Sequence, residues 1–302
     1  MLGTFSATPE ALDSRNRALC DMQVWPTAQK LDWRGWLRNF PAEDQHYARC
    51  LLEAFVYMSN ATIDALFKAG FRSLSRSVGP FEPPADARAR WHRFMSTVLV
   101  VLVEGEEPSP TDSAHLFARR ARDLAHVPDS RILSPADACG QLLHGSARRP
   151  VVFVDDFVGS GNQFVDTWVR QHTSTSGAMT SLRELALAGK CEPFYVPLVA
   201  TTYGLERIRY DCPQVKLYPV HELGDEYSCS NPTSLVWRPD LQAGVADFLS
   251  RSAARAGLNP TVALGFHQLA LAVGFEHGVP DATLKLFTHR ADGWRPLVRF
   301  DD

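Results

Sequence analysis

No two of the six cysteines (Cys20, Cys50, Cys139, Cys191, Cys212 and Cys229) stand at C-x-x-C spacing. That excludes a zinc cage or dithiol redox motif built on such a pair, and leaves free thiols in a reducing compartment as the expectation. The start of the chain lacks a basic-then-apolar leader, and no apolar run nears membrane-spanning length, so a cytoplasmic protein without a membrane segment is expected. Internal repeats and low-complexity tracts are missing as well. So is a strong charge: at −3 over 302 residues, the chain does not attract nucleic acid over its whole surface. Lysine is scarce beside arginine, which genomic composition alone can account for.

What is present is the pattern of an α/β protein. Apolar runs at 98–103, 194–200 and 215–220 suit strands buried on both faces of a parallel sheet, with a short strand expected at 131–133 and a further one at 269–275. Helical spacing joins Tyr47, Leu51, Phe55 and Met58 behind a start at Pro41, and Leu116, Phe117 and Leu124 further on. Ser59 and Asn60 offer a cap for the helix of Ile63, Leu66 and Phe67, with Gly70 as its stop. Leu241, Val245, Phe248 and Leu249 form the stripe of a later helix. Trp25, Trp33, Trp36 and Phe40 are read as packing of a helical module rather than a cofactor box. Two arginine groups, Arg88, Arg90 and Arg93, then Arg119, Arg120 and Arg122, are read as solvated helix faces, with direct nucleic-acid binding left open. A Pro- and Gly-rich break at 79–84 divides a helical N-terminal extension, 1–84, from an α/β domain, 85–302.

The chemistry concentrates in Val151-Val152-Phe153-Val154-Asp155-Asp156-Phe157-Val158-Gly159-Ser160-Gly161-Asn162-Gln163-Phe164. A buried strand ends in two carboxylates, a glycine turn follows, and Phe164, Val165, Trp168, Val169 and His172 continue at helical spacing. A glycine loop that opens a helix gathers backbone N–H groups and the positive helix end, which is an anion site. Asn162-Gln163 stands where a triphosphate P-loop needs Lys-Ser/Thr, and that reading fails. A dinucleotide fingerprint wants its acid about 20 residues later and a small residue where Phe164 stands, so that reading is weak. Nor does His221-Glu222 have the second histidine of a metalloprotease helix.

Here the acids come before the glycines, an order that suits a sugar phosphate. Adjacent carboxylates accept hydrogen bonds from two ribose hydroxyls while the loop wraps the 5′-phosphate. The stretch resembles the phosphoribosyl-pyrophosphate motif of type I phosphoribosyltransferases. With Pro110-Thr111-Asp112-Ser113-Ala114-His115, the segment 276–284 and Trp294-Arg295-Pro296-Leu297, it resembles more narrowly the phosphoribosyltransferase-like domain of bacterial conflict (antiphage) systems, from about Tyr47 onward.

The resemblance implies a type I phosphoribosyltransferase-like parallel-sheet core. It implies ribose contacts at Asp155 and Asp156, and phosphate contacts at Gly159, Ser160, Gly161, Asn162 and Gln163. It places a pyrophosphate loop at Ser109, Thr111, Asp112 and Ser113. Mg²⁺ would accompany phosphoribosyl pyrophosphate or a nucleotide, with no dedicated protein metal site. Defence-system proteins, some with a retron-type reverse transcriptase, would be partners. The chain departs from purine-salvage relatives at Gly159, where they place an acidic base, and at Gln163, where a threonine is common. His277 and Asp281 are the candidate acid–base residues in its stead. Glycosyl transfer by an antiviral effector, and a nucleotide-holding sensor without turnover, both remain open.

Overall fold

The computed structural model describes residues 8–27, 29–78, 84–105, 113–173, 177–291 and 293–299. The chain divides into two compact units, Met1–Thr62 with Gly224–Asp302, and Ile63–Leu223. This differs from the expected division at 84, because the N-terminal helices share their core with the end of the chain. Trp36 is fully buried, stacks on Phe287 at 5.3 Å, and donates its indole N–H to the Leu286 carbonyl at 2.7 Å. Phe40 meets Trp294 edge-on at 5.3 Å, and Tyr47 stacks on Phe248 at 4.8 Å. Trp25, Trp33, Trp36 and Phe40 are thus core residues of this unit. An aromatic cluster of this kind gains both buried area and ring geometry, and its members come from opposite ends of the sequence.

Val56-Tyr57-Met58 is not the last turn of a helix, as its spacing predicted. The helix Gln45–Ala54 stops, and Val56–Met58 pairs in parallel with Val273–Phe275. A β-branched and an aromatic residue favour extended backbone once a partner edge is there to pair. The expected strand at 269–275 shrinks to those three residues, since Gln268 and Ala270 take left-handed backbone at φ 56° and 48°.

The second unit holds the sheet. Its strands are β1 (Leu99–Val101), β2 (Ile132–Leu133), β3 (Arg149–Val158), β4 (Cys191–Thr201), β5 (Lys216–Leu217) and β6 (His221–Leu223). They lie in the order β2-β1-β3-β4-β5, with β6 pairing further along β4, and every pairing is parallel. The α/β class and parallel core expected from the sequence are present. On one face Val151, Phe153 and Tyr195 pack with Phe164, Trp168, Leu182, Leu205 and Ile208. On the other, Phe94 meets Phe194 edge-on at 5.6 Å, and the helix Asn60–Ser73 buries Ile63, Phe67 and Phe71. Cover on both faces explains why the strands read as unbroken apolar runs.

Gly70 does not stop its helix but lies inside it, one turn before its end at Ser73. A Cβ there would stand 2.7 Å from both Val196 Cγ1 and Val220 Cγ2, so glycine is what lets the helix lie flat on the sheet. The helix expected to reach His172 ends at Val169, and His172 enters a two-residue strand paired with Thr180. Arg120 is nearly buried and binds Asp64 at 2.8 Å, while Arg122 binds Asp123 at the same distance. No helix among the described residues is long and apolar enough to cross a membrane.

Replacing Gly70 by alanine forces that helix off the sheet. Denaturant titration is expected to show a loss of about 1–3 kcal/mol, the cost of overpacking a close contact; an unchanged midpoint would contradict the packing described.

Candidate functional site

In the order β2-β1-β3-β4-β5 the chain runs to one side of β1 and then to the other, so the switch in direction lies between β1 and β3. Ligands of open α/β sheets bind outside the carboxyl ends of the strands at such a switch. The two segments that leave there are Glu104-Gly105 after β1, and the end of β3 with its glycine turn.

Val151 to Val154 are buried, as is Asp155 at 4% exposure, while Asp156, Phe157 and Gly159 are half-buried. Both oxygens of Asp155 are engaged: Oδ2 accepts the Tyr195 hydroxyl at 3.1 Å, and Oδ1 accepts the Asp156 N–H at 3.0 Å. Burial first, and then the adjacent Asp156 carboxyl, push the Asp155 pKa well above the ordinary carboxylate range, against the Tyr195 hydrogen bond that lowers it. Tyr195 is itself fully buried, its phenol pKa raised by burial and by Asp155. Its ring stacks on Phe164 at 4.0 Å, which couples the strand carboxyl to the helix after the turn.

The turn is built by close backbone approach. Gly161 has φ +80° and begins the helix Asn162–Val169, whose first N–H, that of Asn162, reaches Ser160 Oγ at 3.3 Å. A Cβ on Gly161 would meet the Gly204 carbonyl at 2.8 Å, and one on Gly204 would meet the Gly159 carbonyl at 2.4 Å. Thr201 Oγ1 completes the clasp, donating to the Gly159 carbonyl while accepting the Gly204 N–H at 2.9 Å. From the other side, Thr167 Oγ1 accepts the Glu104 N–H at 3.1 Å, and Arg170 donates to the Gly105 carbonyl at 2.8 Å. The helix after the turn is therefore tied to both neighbouring loops, and its N-terminal N–H groups and dipole favour an anion.

A model of the PRTase-CE family matches residues 33–299. The chain belongs to that family. It is a phosphoribosyltransferase-like protein, and the match runs across both compact units. None of the curated proteins compared with it matches the chain.

In this PRTase-CE chain, Asp155, Asp156, Gly159, Ser160, Gly161, Asn162 and Gln163 lie together at the end of β3. Ser109, Thr111 and Asp112 lie outside the described residues, and Ser113 starts the helix Ser113–Ala125. His277 and Asp281 belong to the other unit. His277 sits in the turn closed by the Phe275 N–H to the Gly278 carbonyl at 2.8 Å, its ring 5.5 Å from that of Phe275. Asp281 is exposed and pairs with Lys285 at 3.3 Å, an ordinary surface contact four residues apart in sequence. Tyr195, Thr201, Thr167 and Arg170 went unread in the sequence. Only Tyr195 left a signal there: a phenol inside an apolar strand has a hydroxyl that must find a partner.

The buried carboxyl has a thermodynamic signature. Asp155 ionises in the unfolded chain above about pH 3.9 but stays protonated in the fold to higher pH. Its contribution is full below the unfolded value and is lost as pH rises through the folded one, by up to about 1.4 kcal/mol per pH unit. Urea titrations between pH 4 and 8 should show Asp155→Asn gaining on the wild type as pH rises; a gap constant with pH would contradict this.

Proposed function

We propose that the chain binds the ribose-5-phosphate portion of phosphoribosyl pyrophosphate or of a nucleotide, and acts as a phosphoribosyltransferase-like effector of a bacterial antiviral defence system. The observation that carries the binding half is the left-handed Gly161, which opens a helix five residues after the half-buried Asp156 at the sheet's switch point. Family membership supports phosphoribosyl chemistry. The resemblance of the motif and its flanks to domains of conflict systems supports the defence role, with defence proteins or a reverse-transcriptase complex as partners and a cytoplasmic setting.

The 5′-phosphate sits on the N–H groups of Ser160 to Gln163, where the helix dipole offsets its charge. The carboxyl pair at the end of β3 receives the ribose hydroxyls, fixing the sugar ring relative to the phosphate. Transfer then breaks the C1–oxygen bond to pyrophosphate through an oxocarbenium-like centre as a nucleobase or nucleotide attacks. No group of three His, Cys, Asp or Glu side chains among the described residues could cage an ion. Mg²⁺ would therefore be held through the pyrophosphate of the substrate rather than by a cage of these side chains, and would offset the charge on the leaving group.

A second reading, a nucleotide-holding sensor without turnover, is favoured by Gly159. The place of the acidic base of purine-salvage relatives has no side chain here, and its carbonyl is occupied by Thr201.

Calorimetry with Mg²⁺ and phosphoribosyl pyrophosphate tests the site, and mass spectrometry of released pyrophosphate with nucleobases present separates the readings. Asp156→Asn is expected to weaken binding at least about tenfold, the worth of a charge-assisted hydrogen bond, and to abolish growth arrest on expression while the protein stays folded. Unaltered binding in that variant would overturn the ribose assignment. Gly161→Ala strains the left-handed turn and should lose phosphate affinity, together with about 1–2 kcal/mol of stability in a denaturant titration.

A further inference from the structure

The segment that leaves β1 brings an acid to the switch point. Glu104 follows the buried Val103 there, on one of the two segments that flank the switch between β1 and β3. A carboxylate left open to that crevice would repel a pyrophosphate at C1 of a phosphoribosyl donor. The helix Asn162–Val169 engages the segment twice. Thr167 is fully buried, and its Oγ1 accepts the Glu104 N–H at 3.1 Å. The same oxygen lies 2.9 Å from the Glu104 carbonyl and from the Gln163 carbonyl one turn back. Arg170, at the end of the helix, donates to the Gly105 carbonyl at 2.8 Å, and its guanidinium stands 3.5 Å from the Glu104 carboxylate. Side-chain exposures of 27% and 20% keep this pair from the full screening that surface ions meet. No peptide bond among the described residues is cis, so the C=O and N–H of one peptide point opposite ways. With the Glu104 carbonyl on the Thr167 side, the Gly105 N–H is turned away from the helix.

We propose that Thr167 and Arg170 are positioning residues for the leaving group of the donor. They draw the carbonyls of Glu104 and Gly105, and the Glu104 charge, to the helix side, so that the group at C1 meets the Gly105 N–H and not the acid. This rests on the sugar-phosphate reading given above and on its transfer half. Both residues act through Glu104 and Gly105 rather than by touching the ligand. Arg170 has two tasks, since one guanidinium holds a carbonyl and offsets a carboxylate. Thr167 fixes the main chain from which that carboxylate hangs. Because both belong to the helix that opens at Gly161, one rigid element sets the 5′-phosphate end and the C1 end of the donor at a fixed separation.

The test is calorimetry on the full chain with two probes: ribose 5-phosphate, which has no charged group at C1, and phosphoribosyl pyrophosphate with Mg²⁺. Arg170→Gln releases the Glu104 charge. Its loss of affinity is expected to be at least about fivefold greater for phosphoribosyl pyrophosphate than for ribose 5-phosphate. Adding Glu104→Gln to Arg170→Gln removes that charge and should recover most of the difference, which it would not do for a helix merely unsettled. Thr167→Val, of the same shape without the hydroxyl, should discriminate between the probes in the same direction, and Thr167→Ser, which keeps the hydroxyl, should reverse the effect. Equal losses for the two probes in Arg170→Gln, or no recovery in the double variant, overturn the proposal. Should Thr167→Val not fold, the Arg170→Gln and double-variant pair still decides it, because the Arg170 side chain reaches solvent. A wild type that binds ribose 5-phosphate but not phosphoribosyl pyrophosphate leaves the sugar-phosphate reading standing and overturns the proposal alone. One that binds neither sinks that reading and the proposal with it.

Discussion

The constraint on which this structure turns is that β3 is paired on both edges and covered on both faces. Nine residue pairs join it to β4, and β1 flanks it on the other side. A polar side chain within such a strand has no water to turn to and must find its partners in the protein. Asp155 does so through Tyr195, two strand positions before its own pairing partner Pro197. The same burial that makes the strand an inert support makes its last carboxyls chemically distinctive, because low polarity magnifies every charge near them.

The second determinant is backbone closeness. Gly161 and Gly204 let the start of the helix Thr202–Asp211 come nearer than any side chain allows to the turn that opens the helix Asn162–Val169, and Thr201 stitches them together through the Gly159 carbonyl. Thr167 and Arg170 fasten the latter helix to the loop after β1. An anion site made of N–H groups is only as good as their fixed direction, so this bracing carries the site as much as the groups that would touch the ligand. Gly159 serves that bracing at the position where purine-salvage relatives carry a base, which separates the ligand question from the reaction question.

Much of the sheet was legible in the sequence, because strands buried on both faces leave runs such as 98–103 and 194–200 that no amphipathic helix would leave. The turn was legible too, since Gly161 is one of few residues that can begin a helix from left-handed backbone. Short elements were not. Val56–Met58 reads as the end of a helix until its partner strand, more than two hundred residues later, is brought alongside. Gly70 carries a stop signal that tertiary contact with Val196 and Val220 overrides. The union of the N-terminal helices with the C-terminal segment was equally hidden, because aromatic clusters such as Trp36 with Phe287 and Phe40 with Trp294 have no local periodicity to betray them.

By itself, then, the order of residues determined the strand, the acids, the glycine turn and the helix, since each depends on local backbone preference and on the run or the spacing of apolar residues. It also determined that acids come before glycines, the order on which the proposed sugar-phosphate site rests and which a dinucleotide fingerprint does not have. The difference between Asp155 and Asp156 was decided only by tertiary structure. Two identical side chains, neighbours in sequence, differ because one meets Tyr195 and the Phe164 layer while the other reaches the rim, and burial is a property of the packed sheet rather than of either residue.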